Sequence, residues 1–232
     1  ISFNPFFISW FLDPKSKDVF NENIDTNDKK VAKYINYLED KINTLLGVIN
    51  VMTKNQGEKT ERFEESINRK LLYNYFRKCC LNNEVENMKF DDFYNFAKTE
   101  LPKILEQKEL TKEDFNFSKF LSMLEIFKTG ESLGYLLNSE DEKVKNLDSQ
   151  RFVVIDVSKI RNNAILFSII SLLSMDLYNQ KIAKLSYGIK KTLIIDEAWQ
   201  SISSPEMATF MKGQVKVIRK YGGNTIFISQ EL

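Results

Sequence analysis

Residues 191–196 read KTLIID, an apolar run that ends abruptly in a carboxylate, and Glu197 adds a second carboxylate directly behind it. A short continuous apolar run suits a strand buried on both faces of a parallel sheet. Such a strand constrains the rest of the chain, because parallel neighbours are joined by crossovers and not by tight hairpins. In open α/β sheets, ligands gather at the carboxyl ends of the strands, where Asp196 and Glu197 fall. Adjacent strand residues point to opposite faces, so the two acids can serve different tasks.

The flanking sequence predicts the matching elements. Phe152 to Asp156 (FVVID) reads as a second buried strand. Asn163 to Lys184 reads as a helix that is apolar nearly all round, as a central layer helix would be. Pro205 can open a further helix running to about Lys220, and Gly222 and Gly223 stop it. Asn224 to Ser229 is the third strand. Strand–helix–strand–helix–strand with short links argues for a parallel α/β sheet with right-handed crossovers.

Residues 28–137 have a different period. Val31, Ile35, Leu38, Ile42, Leu45 and Ile49 form one helical stripe, and Phe63, Ile67, Leu71 and Tyr75 form a second after a turn signal at residues 55–57. A third helix, capped by Asp91 or Asp92, carries Phe93, Phe96 and Ala97, and Pro102 bends or restarts it. Phe117, Phe120, Leu124 and Phe127 make a short fourth stripe, which Gly130 and Gly134 break. Simple core packing accounts for these stripes. The opening residues are irregular and aromatic (Phe3, Phe6, Phe7, Trp10, Phe11), so they must cover a core or plug a groove. Residues 138–150 read as a polar, exposed link.

Composition removes whole classes of chemistry. The chain has no histidine, which excludes Ser-His-Asp and Cys-His sites and every imidazole-based metal motif. Its two cysteines, Cys79 and Cys80, are adjacent and match neither zinc spacing nor a disulfide scaffold; a reducing compartment is consistent with them. A net charge of +1 supplies no global field for nucleic acid or anionic lipid. The longest apolar helical segment, Ala164 to Tyr178, is broken by Ser168, Ser171, Ser174 and Asp176, and is too short and polar for a bilayer span. The start, ISFNPFF, reads as the middle of a fold, and the chain as a piece of a longer protein.

What remains is carboxylates, amides, hydroxyls, Lys and Arg, and phosphoryl transfer fits that set. Asp196 can hold Mg²⁺, directly or through water, while Glu197 orients or deprotonates the attacking water. Together they look like the Walker B half of a nucleoside-triphosphatase. Gln230, at the end of the third strand, would lie level with Asp196 and can contact a γ-phosphate or position water; an ordinary strand-end amide is the alternative. Arg219 can either reach a phosphate across a subunit interface or simply favour a helix C-terminus. No G-x-x-x-x-G-K-[ST] loop occurs in the sequence, so it supplies only half of an ATP site.

These residues resemble the C-terminal ATPase domain of TraG-type conjugation proteins, the large ATPases of type IV secretion and conjugative-transposon systems, in the form found in Bacteroidetes. The similarity runs through FNPF (3–6), residues 115–138, FVVIDVSKI (152–160), LIIDEAW (193–199) and residues 217–232. The resemblance implies a RecA-like P-loop NTPase core, a parallel sheet with an all-helical insertion subdomain, and a P-loop part missing from this chain. Its implied division is a core segment at 1–24, a helical subdomain at 25–137 and the α/β core at 138–232. It further implies ATP and Mg²⁺ as cofactors, with Asp196 at the metal, Glu197 catalytic, Gln230 sensing and Arg219 acting in trans. The implied setting is a hexamer at the cytoplasmic face of the inner membrane, in contact with secretion-channel subunits, with direct DNA binding left open. A HerA/FtsK-type DNA translocase and a non-catalytic scaffold derived from such a motor are the alternatives.

Overall fold

Asp28 turns its carboxylate onto the amides of Lys30 and Val31 (2.8 and 3.3 Å) and so starts the first long helix. The computed structural model describes residues 3–21, 24–54, 61–111, 113–138, 150–160, 162–184, 188–196, 212–213, 215, 218–219 and 222–228. The chain divides into two units, Ile1–Thr53 with Thr60–Val144, and Lys54–Lys59 with Lys145–Leu232.

The first unit is helical. Helix α1 spans Lys29–Thr53, α2 Arg62–Leu81, α3 Phe90–Gln107 and α4 Phe117–Glu125. The α1 stripe is buried at Val31, Leu38, Ile42, Leu45 and Ile49, with Ile35 half-buried. Helix α2 opens on a capping box between Glu61 and Glu64, and Arg69 ties it to α1 by donating to Glu39 at 2.9 Å. Ile67, Leu71 and Tyr75 are buried, whereas Phe63, at the start of the helix, is exposed. Helix α3 runs unbroken through Pro102. It starts one residue earlier than Asp91, with Lys89 in the N-cap position. Asp91 and Asp92 lie inside its first turn, where carboxylates favour the helix N-terminus. The Asp91 carboxylate accepts from the Thr129 amide at 3.0 Å instead of capping its own helix.

The opening residues pack among these helices. Their aromatic side chains find their partners there. Phe6 stacks on Phe93 with centroids 4.8 Å apart and meets Tyr75 edge-on at 5.9 Å. The segment is also bolted down through its backbone and amides: the Phe3 amide donates to the Leu136 carbonyl at 2.7 Å, and Asn4 donates to the Met88 carbonyl at 2.7 Å. Asn138 closes the other end. It donates to the carbonyls of Phe127 and Gly134, both at 3.1 Å, and accepts from the Asp91 amide at 3.0 Å. Gly134 is required at this closure, since a Cβ there would fall 2.0 Å from the Lys128 carbonyl oxygen.

In the second unit, residues 152–157 form no helix or paired strand among the described residues; Phe152 is 83% exposed and Val154 72%. The expected buried strand is therefore absent here. A strand is buried by a neighbour and a covering layer, and no described element supplies either. Asp156 accepts from the Ser158 amide at 2.9 Å and turns the chain. Asn163 then caps helix α5, Ala164–Lys184, through the Leu166 amide at 3.1 Å. Leu166, Phe167, Ile169, Ile170, Leu172, Leu173 and Met175 are all buried, as expected of an apolar central helix. Strands β1 (Lys191–Ile195) and β2 (Gly223–Phe227) form a parallel pair. On the face of Lys191, Leu193 and Ile195 the pair is partly covered, Lys191 buried and the other two half-buried, whereas Ile194 is 58% exposed and Ile226 42%. Burial on both faces, expected from the apolar run, does not occur within the described residues. The turn at 55–57, the link at 139–149 and the helix start at Pro205 lie outside them. Among the described residues no helix is long and apolar enough to cross a membrane.

Two predictions follow from the helical unit. Phe6→Ala removes a ring that is 2% exposed and should destabilise the unit by about 3–5 kcal/mol, read from urea unfolding. Asp13 accepts from Lys30, from the Tyr34 hydroxyl and from the Lys15 amide, which holds its carboxyl down at about 2. A depressed folded value means that its stabilisation is complete above about pH 4 and fades as pH falls toward 2. Asp13→Asn should therefore flatten the acid limb of stability in that window and leave the slope at neutral pH unchanged.

Candidate functional site

Parallel pairing sets the geometry of the site. Lys191 lies opposite Gly223 and Ile195 opposite Phe227. The Ile228 amide donates to the Ile195 carbonyl at 2.9 Å, which carries the ladder to the last residue before Asp196. Both strands thus finish on one edge. The opposite edge depends on glycine. Gly222, at φ +73°, reverses the chain, and its amide closes the preceding helical segment on the Arg219 carbonyl at 3.1 Å. At Gly223 a Cβ would lie 2.9 Å from Ile218 Cγ2 and 3.2 Å from the Lys191 carbonyl oxygen, so a side chain there would have to displace Ile218 and crowd the β1 backbone. The Thr192 hydroxyl donates to Asn224 Oδ1 at 2.6 Å and pins the register from the open face.

Asp196 sits in the turn just past β1, exposed at the carboxyl edge. Glu197 and Gln230 lie outside the described residues. Arg219 is helical and exposed, but it stands at the amino edge beside Gly222. Four residue steps of strand separate Lys191 from Ile195, about 13 Å at the usual rise. Asp196 and Arg219 of one chain therefore occupy opposite edges of the sheet. Asp156 ends an apolar run as Asp196 does, yet its carboxylate is committed to the Ser158 turn, whose amide holds the carboxyl below its ordinary value. The D-x-S spacing is the sequence signal of that turn.

The sequence matches the family model of the TraG P-loop domain over residues 1–232. The chain belongs to the TraG P-loop domain family. Searches of the curated proteins and of the solved structures gave no match. The membership makes this a P-loop ATPase domain of the conjugation-related TraG class, and its two parallel strands and flanking helices fit an α/β fold of that kind. Such ATPases bind a nucleotide, usually with Mg²⁺. The TraG domain offers a donor type suited to that ion: Asp196, an exposed residue at a strand end, carries hard carboxylate oxygens. Among the described residues no group of three or more His, Cys, Asp or Glu could hold a metal. One carboxylate is nonetheless enough for Mg²⁺, which keeps several waters and binds through one or two carboxylates plus substrate phosphates.

An exposed residue beyond the ladder contributes little to folding. Asp196→Ala should leave the unfolding free energy within about 0.5 kcal/mol of the parent in urea titration. A larger loss would mean that the carboxylate serves the fold and not a ligand.

Proposed function

We propose that this TraG domain is part of the ATPase of a conjugative or type IV secretion motor, which hydrolyses ATP to drive pilus assembly or passage of DNA or protein. The observation that carries the reading is the level carboxyl edge of β1 and β2, with an exposed acid at its lip. Asp196 holds Mg²⁺ there, directly or through water. Glu197 takes a proton from the attacking water as its oxygen bonds to the γ-phosphorus and the bond to the ADP oxygen breaks. Gln230 positions that water or contacts the γ-phosphate. The reading requires a Walker A loop from outside these residues, since none of that pattern occurs in the sequence; without it the 232 residues alone do not turn over ATP.

Arg219 belongs to a neighbouring subunit's site in this reading. Its place at the amino edge is out of reach of its own Asp196, and a head-to-tail ring brings unlike edges of successive subunits together. We therefore propose a hexameric ring, with the helical unit as an insertion in the core that faces channel subunits at the cytoplasmic side of the inner membrane. In the intact protein, Glu197→Gln should lower ATP turnover by about two orders of magnitude or more while ATP binding persists. Unchanged turnover rejects the assignment.

A further inference from the structure

Helix α3 has no side-chain cap of its own. Lys89 fills the N-cap position without a cap bond, so the first amides of the helix must find acceptors elsewhere. The Asp91 amide finds one 47 residues further on, in the Asn138 side chain at 3.0 Å. The Met88 carbonyl, just ahead of the helix, accepts from Asn4 at 2.7 Å. Residues 88–91 thus hold the opening residues of the helical unit through Asn4 and its closing residues through Asn138. The two ends also meet directly, since the Phe3 amide donates to the Leu136 carbonyl at 2.7 Å. Met88, Phe90, Leu136 and Leu137 are fully buried, so a backbone group left unpaired among them is costly.

We propose that the start of α3 is a clasp. It closes the two ends of the helical unit on one another, so that the opening segment and α1–α4 open as one cooperative body, independently of the β1/β2 pair. Asn138 suits this task because its loss strips partners from Phe127, Gly134 and Asp91 at once. The mechanical consequence rests on the proposed function, in which the helical unit is an insertion in the core. An insertion whose ends meet is joined to its host at one place. Movement of the core then displaces the helical unit as a rigid body and does not stretch it between two distant ends.

Hydrogen exchange of the intact chain, followed by NMR, tests the clasp. Asn138→Ala should speed exchange of the Phe3 and Phe93 amides by a common factor of about ten, although neither amide bonds to Asn138. The Ile228 amide, bonded to Ile195 in the sheet, should keep its rate within about twofold. Gly223→Val should do the reverse, with faster exchange at Ile228 and none of it passed to Phe3 or Phe93. Thr192→Ala removes only the bond to Asn224 and should give the same split at smaller amplitude. An unchanged rate in Asn138→Ala, acceleration at only one of its two reporters, or joint loss of protection in both units after any of the three substitutions overturns the proposal. The readout needs no nucleotide, so its failure leaves the ATPase reading standing, and unchanged turnover in Glu197→Gln leaves the clasp standing.

Discussion

Two parallel strands cannot close on a tight turn, and this restriction organises the sheet-bearing unit. The chain must leave β1 at Ile195, travel back along the sheet and re-enter at Gly223 beside Lys191. That return puts Asp196, just past β1, on one edge and Gly222, just before β2, on the other. In the proposed motor, Asp196 and Arg219 stand on opposite edges of one sheet and so cooperate between molecules. Gly223 is the contact on which the arrangement turns, because it lets the returning backbone lie against the Lys191 carbonyl.

The helical unit answers to a different constraint, the disposal of aromatic surface. Phe6, Tyr75, Phe90 and Phe93 form a connected ring cluster, and Phe90 extends it to Phe127 at 6.2 Å. Rings alone would leave the cluster's orientation loose. Two asparagines fix it: Asn4 through the Met88 carbonyl and Asn138 through three backbone partners. Amides suit this task because one side chain both donates and accepts, so a crossing of three chain segments is satisfied by a single residue.

Much of this was legible from residue spacing. The α1 stripe, the nearly all-apolar α5 and the Gly222 stop follow from periodicity and cap chemistry, which are local properties. What spacing could not deliver was anything set by a distant partner. FVVID has the composition of a buried strand, yet Phe152 stands in solvent, because composition specifies the wish for a neighbour and not its presence. The Asp91 carboxylate resembles a cap but serves Thr129, 38 residues away. At the candidate site, the strand-end position of Asp196 was readable, and the edge occupied by Arg219 was not, since it depends on the direction in which β2 runs.

The anchoring of the first residues has a temporal side. Asn4 bonds to a carbonyl 84 residues further on, and the Phe3 amide to Leu136 beyond that. During synthesis from the amino end, the aromatic side chains of Phe3, Phe6 and Phe11 therefore emerge from the ribosome long before their receptors exist. Until α3 and the turn after α4 have been translated, this stretch is greasy, extended nascent chain, the kind of surface that chaperones hold and that aggregates when they do not.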